Sequence, residues 1–172
     1  MRLFFALEPP ARTTIEIAGW RDRTLPMLGA PVPPQNFHIT LAFLGEHREA
    51  VLGQLIDYVD NGLRDVAVTG DTINLDRVGF WPKAGIYWLG ATEWPESLNI
   101  LAAKLNHAGL AIGAKRGRNT FQPHITLFRR CQTSPQPGST PDIQLAYESF
   151  SLFESRTGKS GVSYHSLCDW EL

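Results

Sequence analysis

The sequence predicts an α+β fold built from two similar lobes, and three observations predict it. Short strand-like runs alternate with amphipathic helical stretches through short connections, a pattern that favours largely antiparallel sheets with flanking helices. The tetrapeptide HITL occurs twice, at His38–Leu41 and His124–Leu127, 86 positions apart. That separation is far too long for a solenoid repeat and suits one motif strand in each lobe. A chain of 172 residues has the length of one domain, or of two small lobes sharing one core.

The elements follow in order. Arg2–Leu7 reads as a strand, and Ala11–Leu25 as a helix stopped by Pro26. A proline-rich connector, Pro26–Gln35, leads into the first HITL strand. Glu49–Leu63 has helical spacing at Val51, Leu55, Ile56 and Val59, with Gly62 near its C-terminal end. Two extended runs, Asp65–Val78 and Gly85–Ala91, flank the turn signal FWPKAG. Glu96–Ala111 is a further amphipathic helix carrying Leu98, Leu101 and Leu105. Phe121–Phe128 holds the second HITL, a loop spans Cys131–Asp142, and two final extended runs cover Ile143–Phe153 and Gly161–Trp170.

Composition excludes several classes. Apolar content of 43% is too high for a disordered chain. The apolar runs, such as Leu3–Leu7, are too short to cross a membrane. The opening MRLFFALEPP lacks the pattern of a secretory signal, because its five apolar residues end at Glu8-Pro9-Pro10. Cys131 and Cys168 sit in no CxxC or histidine-rich setting and are expected as reduced thiols. These features lead to the expectation of a cytoplasmic protein. The net charge of −1 argues against a general nucleic-acid coat, yet it hides an asymmetry. From Ser97 to Pro141 there is no Asp or Glu, while Lys104, Lys115, Arg116, Arg118, Arg129 and Arg130 give +6. A charge cluster is commonly just a solvated face, but this one brackets the second HITL and so suits an anionic substrate.

The doubled tetrapeptide has its own chemistry. Residues i and i+2 of a strand share a face, so His38 and Thr40 point one way while Ile39 and Leu41 point into a core. His124 and Thr126 repeat this, backed by Ile125 and Leu127. Two such strands side by side would set two imidazoles and two hydroxyls across one groove. Displacement at phosphorus needs a base for the attacking oxygen and an acid for the leaving oxygen, on opposite sides of the phosphate. Histidine titrates near neutrality and suits both roles. Threonine hydroxyls can hydrogen-bond the non-bridging oxygens as they gain charge. A zinc site would call for further His, Cys or carboxylate ligands, where this motif has a hydroxyl. One His-x-Thr on a strand is usually structural. Two copies, each backed by apolar residues and one inside a basic window, favour the functional reading. His47, His107 and His165 lack a comparable context and are read as surface or core residues.

The paired stretches HITLAFLG and PHITLFR resemble the HxTLxFLG and HxTLxR signatures of the 2H phosphoesterase superfamily, and within it the RNA 2′,3′-cyclic phosphodiesterases, also called 2′-5′ RNA ligases. RLFFALEPP, GFWPKAGIYWLG and FSLFESRTGKSGVSYHSLCDWEL are similar to the family's opening, central and closing strands, so the likeness spans almost the whole chain. The resemblance implies a single domain over residues 1–172, made of two intertwined lobes related by a pseudo-two-fold axis, with the active site in the central groove. It implies metal-independent opening of an RNA or nucleoside 2′,3′-cyclic phosphate to a 2′-phosphate, with 2′-5′ ligation as the reverse chemistry. His38 and His124 would be the catalytic pair, and Thr40 and Thr126 would bind phosphate together with Arg129. Strict alternation disagrees at that last position. It puts Arg130, not Arg129, on the face of His124 and Thr126, unless the strand ends or bulges after Leu127.

Phe43, Trp81, Trp88 and Tyr164 can offer stacking surface to a base, although aromatics on strands usually pack inward. Phe43, Tyr164, Arg118 and Arg130 are kept as further substrate contacts. The tract Lys115–Arg118 either tracks an RNA backbone or is simply a basic loop. Expected partners are RNA with a 2′,3′-cyclic phosphate end, tRNA fragments included, or cyclic nucleotides; no cofactor, metal or membrane is expected, and a monomer suffices. Other readings are a 2H phosphodiesterase for a small nucleotide, such as cyclic ADP-ribose phosphate or a 2′-5′ oligonucleotide, and a non-catalytic module that binds RNA ends.

Overall fold

A computed structural model describes residues 1–64, 66–115, 117, 120–159 and 161–172. Ten strands and three α-helices occur among them. The strands are β1 (Arg2–Leu7), β2 (Ala30–Pro31), β3 (Ile39–Glu46), β4 (Asp71–Leu75), β5 (Arg77–Trp81), β6 (Ile86–Gly90), β7 (His124–Arg129), β8 (Ile143–Tyr147), β9 (Ser149–Gly158) and β10 (Gly161–Glu171). The helices are α1 (Ala11–Thr24), α2 (Leu52–Leu63) and α3 (Glu96–Ala111). One four-stranded sheet has the order β10-β9-β1-β3, another has β2-β7-β6-β5, and β4 and β8 form a separate two-stranded ladder. The strand pairs are antiparallel. The α+β class and antiparallel sheets are as the sequence predicts, with the β4–β8 ladder in addition.

Each four-stranded sheet is built around one strand–helix–strand unit. The segments β1–α1–β3 and β6–α3–β7 each return the chain antiparallel beside its starting strand. α3 packs against β3 of the other sheet and against α2, so the two units are not packed separately. Helix ends are set locally. Leu25 adopts extended angles (φ −120°, ψ 140°) ahead of Pro26, whose ring disfavours a helical predecessor. α3 begins after Pro95 with Glu96 in its first turn, where a carboxylate complements the helix dipole, and the chain turns away from it at Gly113 with φ +88°.

The core joins both sheets. Ile39, Leu41, Ile125 and Leu127 are at most 2% exposed and belong to one cluster with Leu3, Phe5, Leu7, Leu89 and Leu101. The apolar half of each HITL is therefore the anchor that the alternation predicted. Side-chain size is also controlled under the second motif. A Cβ on Gly79 or Gly90 would overlap the Trp88 ring, so these glycines let that ring lie flat across β5 and β6.

Several boundaries differ from the sequence reading because the chain changes sheets where the pattern shows no break. Of the run 65–78, residue 65 lies outside the described residues; among residues 66–78 the strand starts only at Asp71 and divides at Asp76, whose N–H donates to Gly90 O (3.0 Å). Phe80 and Trp81 belong to β5, so the following turn is confined to Pro82–Gly85. The run 143–153 divides at Glu148. β8 alternates between buried and exposed, whereas residues 150–154 of β9 are continuously buried in the middle of a sheet. Residues 49–51 form a 3-10 turn before α2, and the second motif strand starts at His124 rather than Phe121. Both cysteines are free. Among the described residues no helix is long and apolar enough to cross a membrane.

The proline-rich connector is more than a linker. Ala30 and Pro31 pair with Arg129 and Phe128 of β7, and Val32 N–H donates to Leu127 O (2.9 Å). A 3-10 turn at Pro34–Asn36 then delivers the chain to His38. Arg21 of α1, only 6% exposed, pins this path: its Nη1 donates to Val32 O (2.7 Å) and its Nε to Asp22 Oδ1 (2.8 Å). Its guanidinium lies 5.5 Å from the ring centres of both Phe37 and Phe128. Arg21→Met keeps much of the apolar stem but leaves the Val32 carbonyl without its donor. We expect a loss of about 2 kcal/mol in urea unfolding; an unchanged midpoint would show that the clamp carries no stability.

Candidate active site

The two motif strands share an irregularity that the sequence alone does not display. Along β1 the register passes from Phe5↔Ala42 to Ala6↔Thr40, skipping Leu41. Along β6 it passes from Tyr87↔Phe128 to Trp88↔Thr126, skipping Leu127. The leucine of each HITL is thus the extra residue of a β-bulge. A bulge resets alternation: Leu41 and Ala42 are both buried, as are Leu127 and Phe128. The next residues, Phe43 and Arg129, emerge exposed at equivalent places in the two copies. This shift lies at Leu127 itself rather than after it, and it removes the objection that strict alternation raises against Arg129. Arg130 follows the strand end in a left-handed conformation (φ 58°), which takes it off the strand path.

The histidines are held alike. His38 Nδ1 lies 2.8 Å from Asn36 O, and His124 Nδ1 lies 2.8 Å from Gln122 O. A carbonyl can only accept, so each Nδ1 carries the proton and each neutral ring keeps its Nε2 lone pair free. Both rings are walled by aromatics. His38 sits edge-on to Tyr164 (4.9 Å between centres) and tilted on Phe4 (5.1 Å). His124 sits edge-on to Trp81 (4.5 Å), with Trp88 at 6.1 Å. Gly90 lies opposite His124 in the ladder, and the Trp88 ring passes beside it.

This enclosure disfavours the charged imidazolium. Burial pushes His38 from 6.5 down to about 4, against the pull of the Asn36 carbonyl; the charges of Arg129 and His124 push the same way as burial. Burial also lowers His124, opposed by the Gln122 carbonyl and assisted by Arg129. Arg129 is therefore the cation whose field reaches both rings. Among the described residues it has no ion-pair partner.

A cavity of about 1140 Å³ opens on the His124 side, with Thr40, Phe43, Trp81 and Gln122 in its wall. His38 instead borders a narrow crevice with Phe4, Phe37 and Tyr164. Thr40 and His124 line the large cavity and His38 the crevice; all three are half-buried, as is Thr126, which lines neither. Phe43 is 51% exposed on the cavity wall, and Trp81 is half-buried there, so both face open space rather than core. Trp88 is core, 3% exposed. Tyr164 touches His38 and not the large cavity. Arg116 and Arg118 lie outside the described residues. His107, read from sequence as surface or core, borders the cavity together with Lys83 and Asn106, which carried no motif to mark them. His47 is structural, with Nε2 3.0 Å from Leu44 O. Among the described residues no three His, Cys, Asp or Glu side chains gather as a metal cluster.

Comparison with known proteins gives a consistent picture. The family described as LigT like Phosphoesterase matches residues 7–88. The chain is 34% identical to an Escherichia coli K12 protein named RNA 2′,3′-cyclic phosphodiesterase, over 99% of this chain and 96% of that protein. A crystal structure of a phosphoesterase matches with a TM-score of 0.90 at 32% identity, covering 99% of this chain and 97% of that one. Escherichia coli LigT complexed with 3′-AMP matches with a TM-score of 0.87 at 31% identity and the same coverage.

Proton NMR titration of the free protein should place the His38 midpoint near pH 4 and the His124 midpoint below 6.5. Arg129→Ala should raise both midpoints, because losing a nearby positive charge favours the imidazolium. Arg130→Ala should leave them in place. Unmoved midpoints in Arg129→Ala would take Arg129 out of the groove.

Proposed function

The chain belongs to the LigT-like phosphoesterase family of the 2H superfamily, and from that premise we propose that it is a phosphodiesterase that opens a terminal 2′,3′-cyclic phosphate of RNA to a 2′-phosphate with His38 and His124 as its acid–base pair. The observation that carries this reading is the matched pair of Nδ1–carbonyl contacts, which leave two Nε2 atoms for chemistry. His124 takes a proton from water as the water oxygen bonds to phosphorus. The P–O3′ bond breaks, and His38 delivers a proton to O3′. Thr40, Thr126 and Arg129 hold the non-bridging oxygens, whose charge rises in the transition state. A 5′-hydroxyl in place of water would join two ends through a 2′-5′ linkage by the same steps.

The depressed pKa of His38 fits this scheme once substrate is considered. In the free protein, burial and Arg129 keep the ring neutral. An anionic phosphate between the histidines adds the opposite charge, so His38 gains its proton as substrate binds. Residues 1–172 act as one domain of two intertwined lobes, each giving one His-x-Thr, and one copy of the chain suffices. The substrate class extends to cyclic nucleotides and to tRNA fragments with cyclic ends, and the cytoplasm is the proposed setting.

The test is phosphorus NMR on a nucleoside 2′,3′-cyclic phosphate with excess chelator. Conversion to the 2′-phosphate is expected, reduced about 10²–10⁴-fold in His38→Ala and in His124→Ala. A 3′-phosphate product, or full activity in either variant, would refute the assignment. The pH profile gives a second check. kcat/KM reports the free enzyme, which needs one ring charged and one neutral. Both midpoints lie below 6.5, so its optimum should fall on the acid side of 6.5, and the kcat optimum should lie higher.

A further inference from the structure

The two half-sites wall their histidines in different ways. Trp81, against His124, stands on β5, with only β6 between it and the strand that carries the second motif. Tyr164, against His38, stands on β10, and the order β10-β9-β1-β3 puts two strands between it and β3. Its contact with His38 therefore crosses the face of the sheet instead of running from strand to neighbour.

The end of β10 that makes this contact is thinly supported. β1 pairs with β9 only over Ser151–Ser155, so beyond that row residues 156–158 and 161–163 are a two-stranded ribbon. A ribbon of two strands is marginal in water. Tyr164 also lies outside the main core. It packs on Phe4, 5.0 Å between ring centres, beside a small separate cluster of Phe4, Ala6 and Phe153.

One side chain fastens the ribbon. Asn36 Nδ2 donates to Val162 O (2.8 Å), joining positions 126 apart in the chain and only two residues from Tyr164. Asn36 is also the residue whose carbonyl accepts from His38 Nδ1 (2.8 Å). It thus holds the histidine with its main chain and the aromatic wall of that histidine with its side chain. Gln122, at the same place before His124, makes the first contact, while its side chain lines the large cavity. The Asn36–Val162 bond is exposed, so water competes for it and it adds little to global stability. Its consequence is local.

We propose that Asn36 is a positioning residue for His38: its amide fastens the free end of the β9–β10 ribbon, so that Tyr164 closes the crevice over the imidazole and fixes its orientation, a control that His124 does not share. The inference deepens the phosphodiesterase reading above and rests on it for the kinetic arm of its test alone.

The experiment uses Asn36→Leu, which keeps the side-chain volume and removes the donor. In proton NMR titration the His38 midpoint should rise from about 4 toward 6.5, because burial is the largest cause of its depression and an opened crevice admits water. Glu8 and Tyr164 in the crevice, and Arg129 and His124 across the groove, are the titratable and charged groups around the ring, and all remain in the variant. The His124 midpoint should stay in place. On a nucleoside 2′,3′-cyclic phosphate, kcat should fall about 10–10²-fold, the scale of a misplaced catalytic group, with KM nearly unchanged. Asn36→Gln, which keeps an amide donor, should restore most of both effects. Tyr164→Ala should reproduce them with the Asn36 donor intact, whereas Tyr164→Phe should cause neither, since the packing needs the ring and not its hydroxyl. An unmoved His38 midpoint or an unchanged kcat in Asn36→Leu would overturn the inference even if the urea midpoint falls, because the bond would then be structural only. Equal movement of both histidine midpoints would overturn it as general loosening. If the unsubstituted protein consumes no cyclic phosphate, the reaction reading fails, and the two histidine midpoints still decide the inference.

Discussion

The groove depends on one buried contact, between the Arg21 guanidinium and the Val32 carbonyl. The connector that carries Val32 is hydrogen-bonded to β7 at one end and presents Asn36 O to His38 at the other. It therefore ties one half-site to the other, through hydrogen bonds to β7 at one end and through the chain itself to His38 at the other. Arg21 fixes its midpoint while touching Phe37, the residue before His38, and Phe128, the residue before Arg129. A buried arginine is costly unless its donors are met, and here a carbonyl, a carboxylate and two aromatic faces meet them. Relative placement of two catalytic groups is worth several kcal/mol in a reaction that needs both at once, so rigidity at this junction bears directly on the proposed chemistry.

The electrostatics of the groove follow from the same enclosure. Aromatic walls and a nearby arginine depress both imidazoles, which sets up a site short of negative charge. Such a site is biased toward binding an anion rather than toward holding a proton. The acid-free stretch from Ser97 to Pro141 extends the effect outward, since it supplies the loop and strand around His124 with no carboxylate to neutralise Arg129 or Lys115. Net charge near zero and a locally positive groove are compatible because the acids lie elsewhere in the chain.

Two-fold likeness and functional asymmetry coexist in the two motif strands. Both have a bulged leucine, an Nδ1-anchored histidine and a half-buried threonine. They diverge one step beyond the bulge, where one has Phe43 and the other Arg129. Their surroundings diverge too: His38 lies in a tight crevice lined by Phe4 and Tyr164, whereas His124 opens on the large cavity. A phosphate is close to symmetric about its own centre, but the chain attached to it is not. A doubled scaffold with one aromatic and one cationic branch suits that combination.

Much of this was legible in the sequence because it depends on local periodicity. Alternation assigned His38, Thr40, His124 and Thr126 to one face and put Ile39, Leu41, Ile125 and Leu127 in the core, since a strand's side-chain period is fixed by its backbone. Pro26 marked the end of α1 through the restriction its ring places on the helix before it. Tertiary structure decided whatever depends on partners distant in the chain. The bulges that bring Phe43 and Arg129 forward exist only in register with β1 and β6. The breaks at Asp76 and Glu148 appear only when strands choose between sheets. Lys83 reaches the same cavity as Asn106 and His107 from a separate stretch of the chain. Local stereochemistry determined which side chains face together; the pairing of strands far apart in sequence determined what they face.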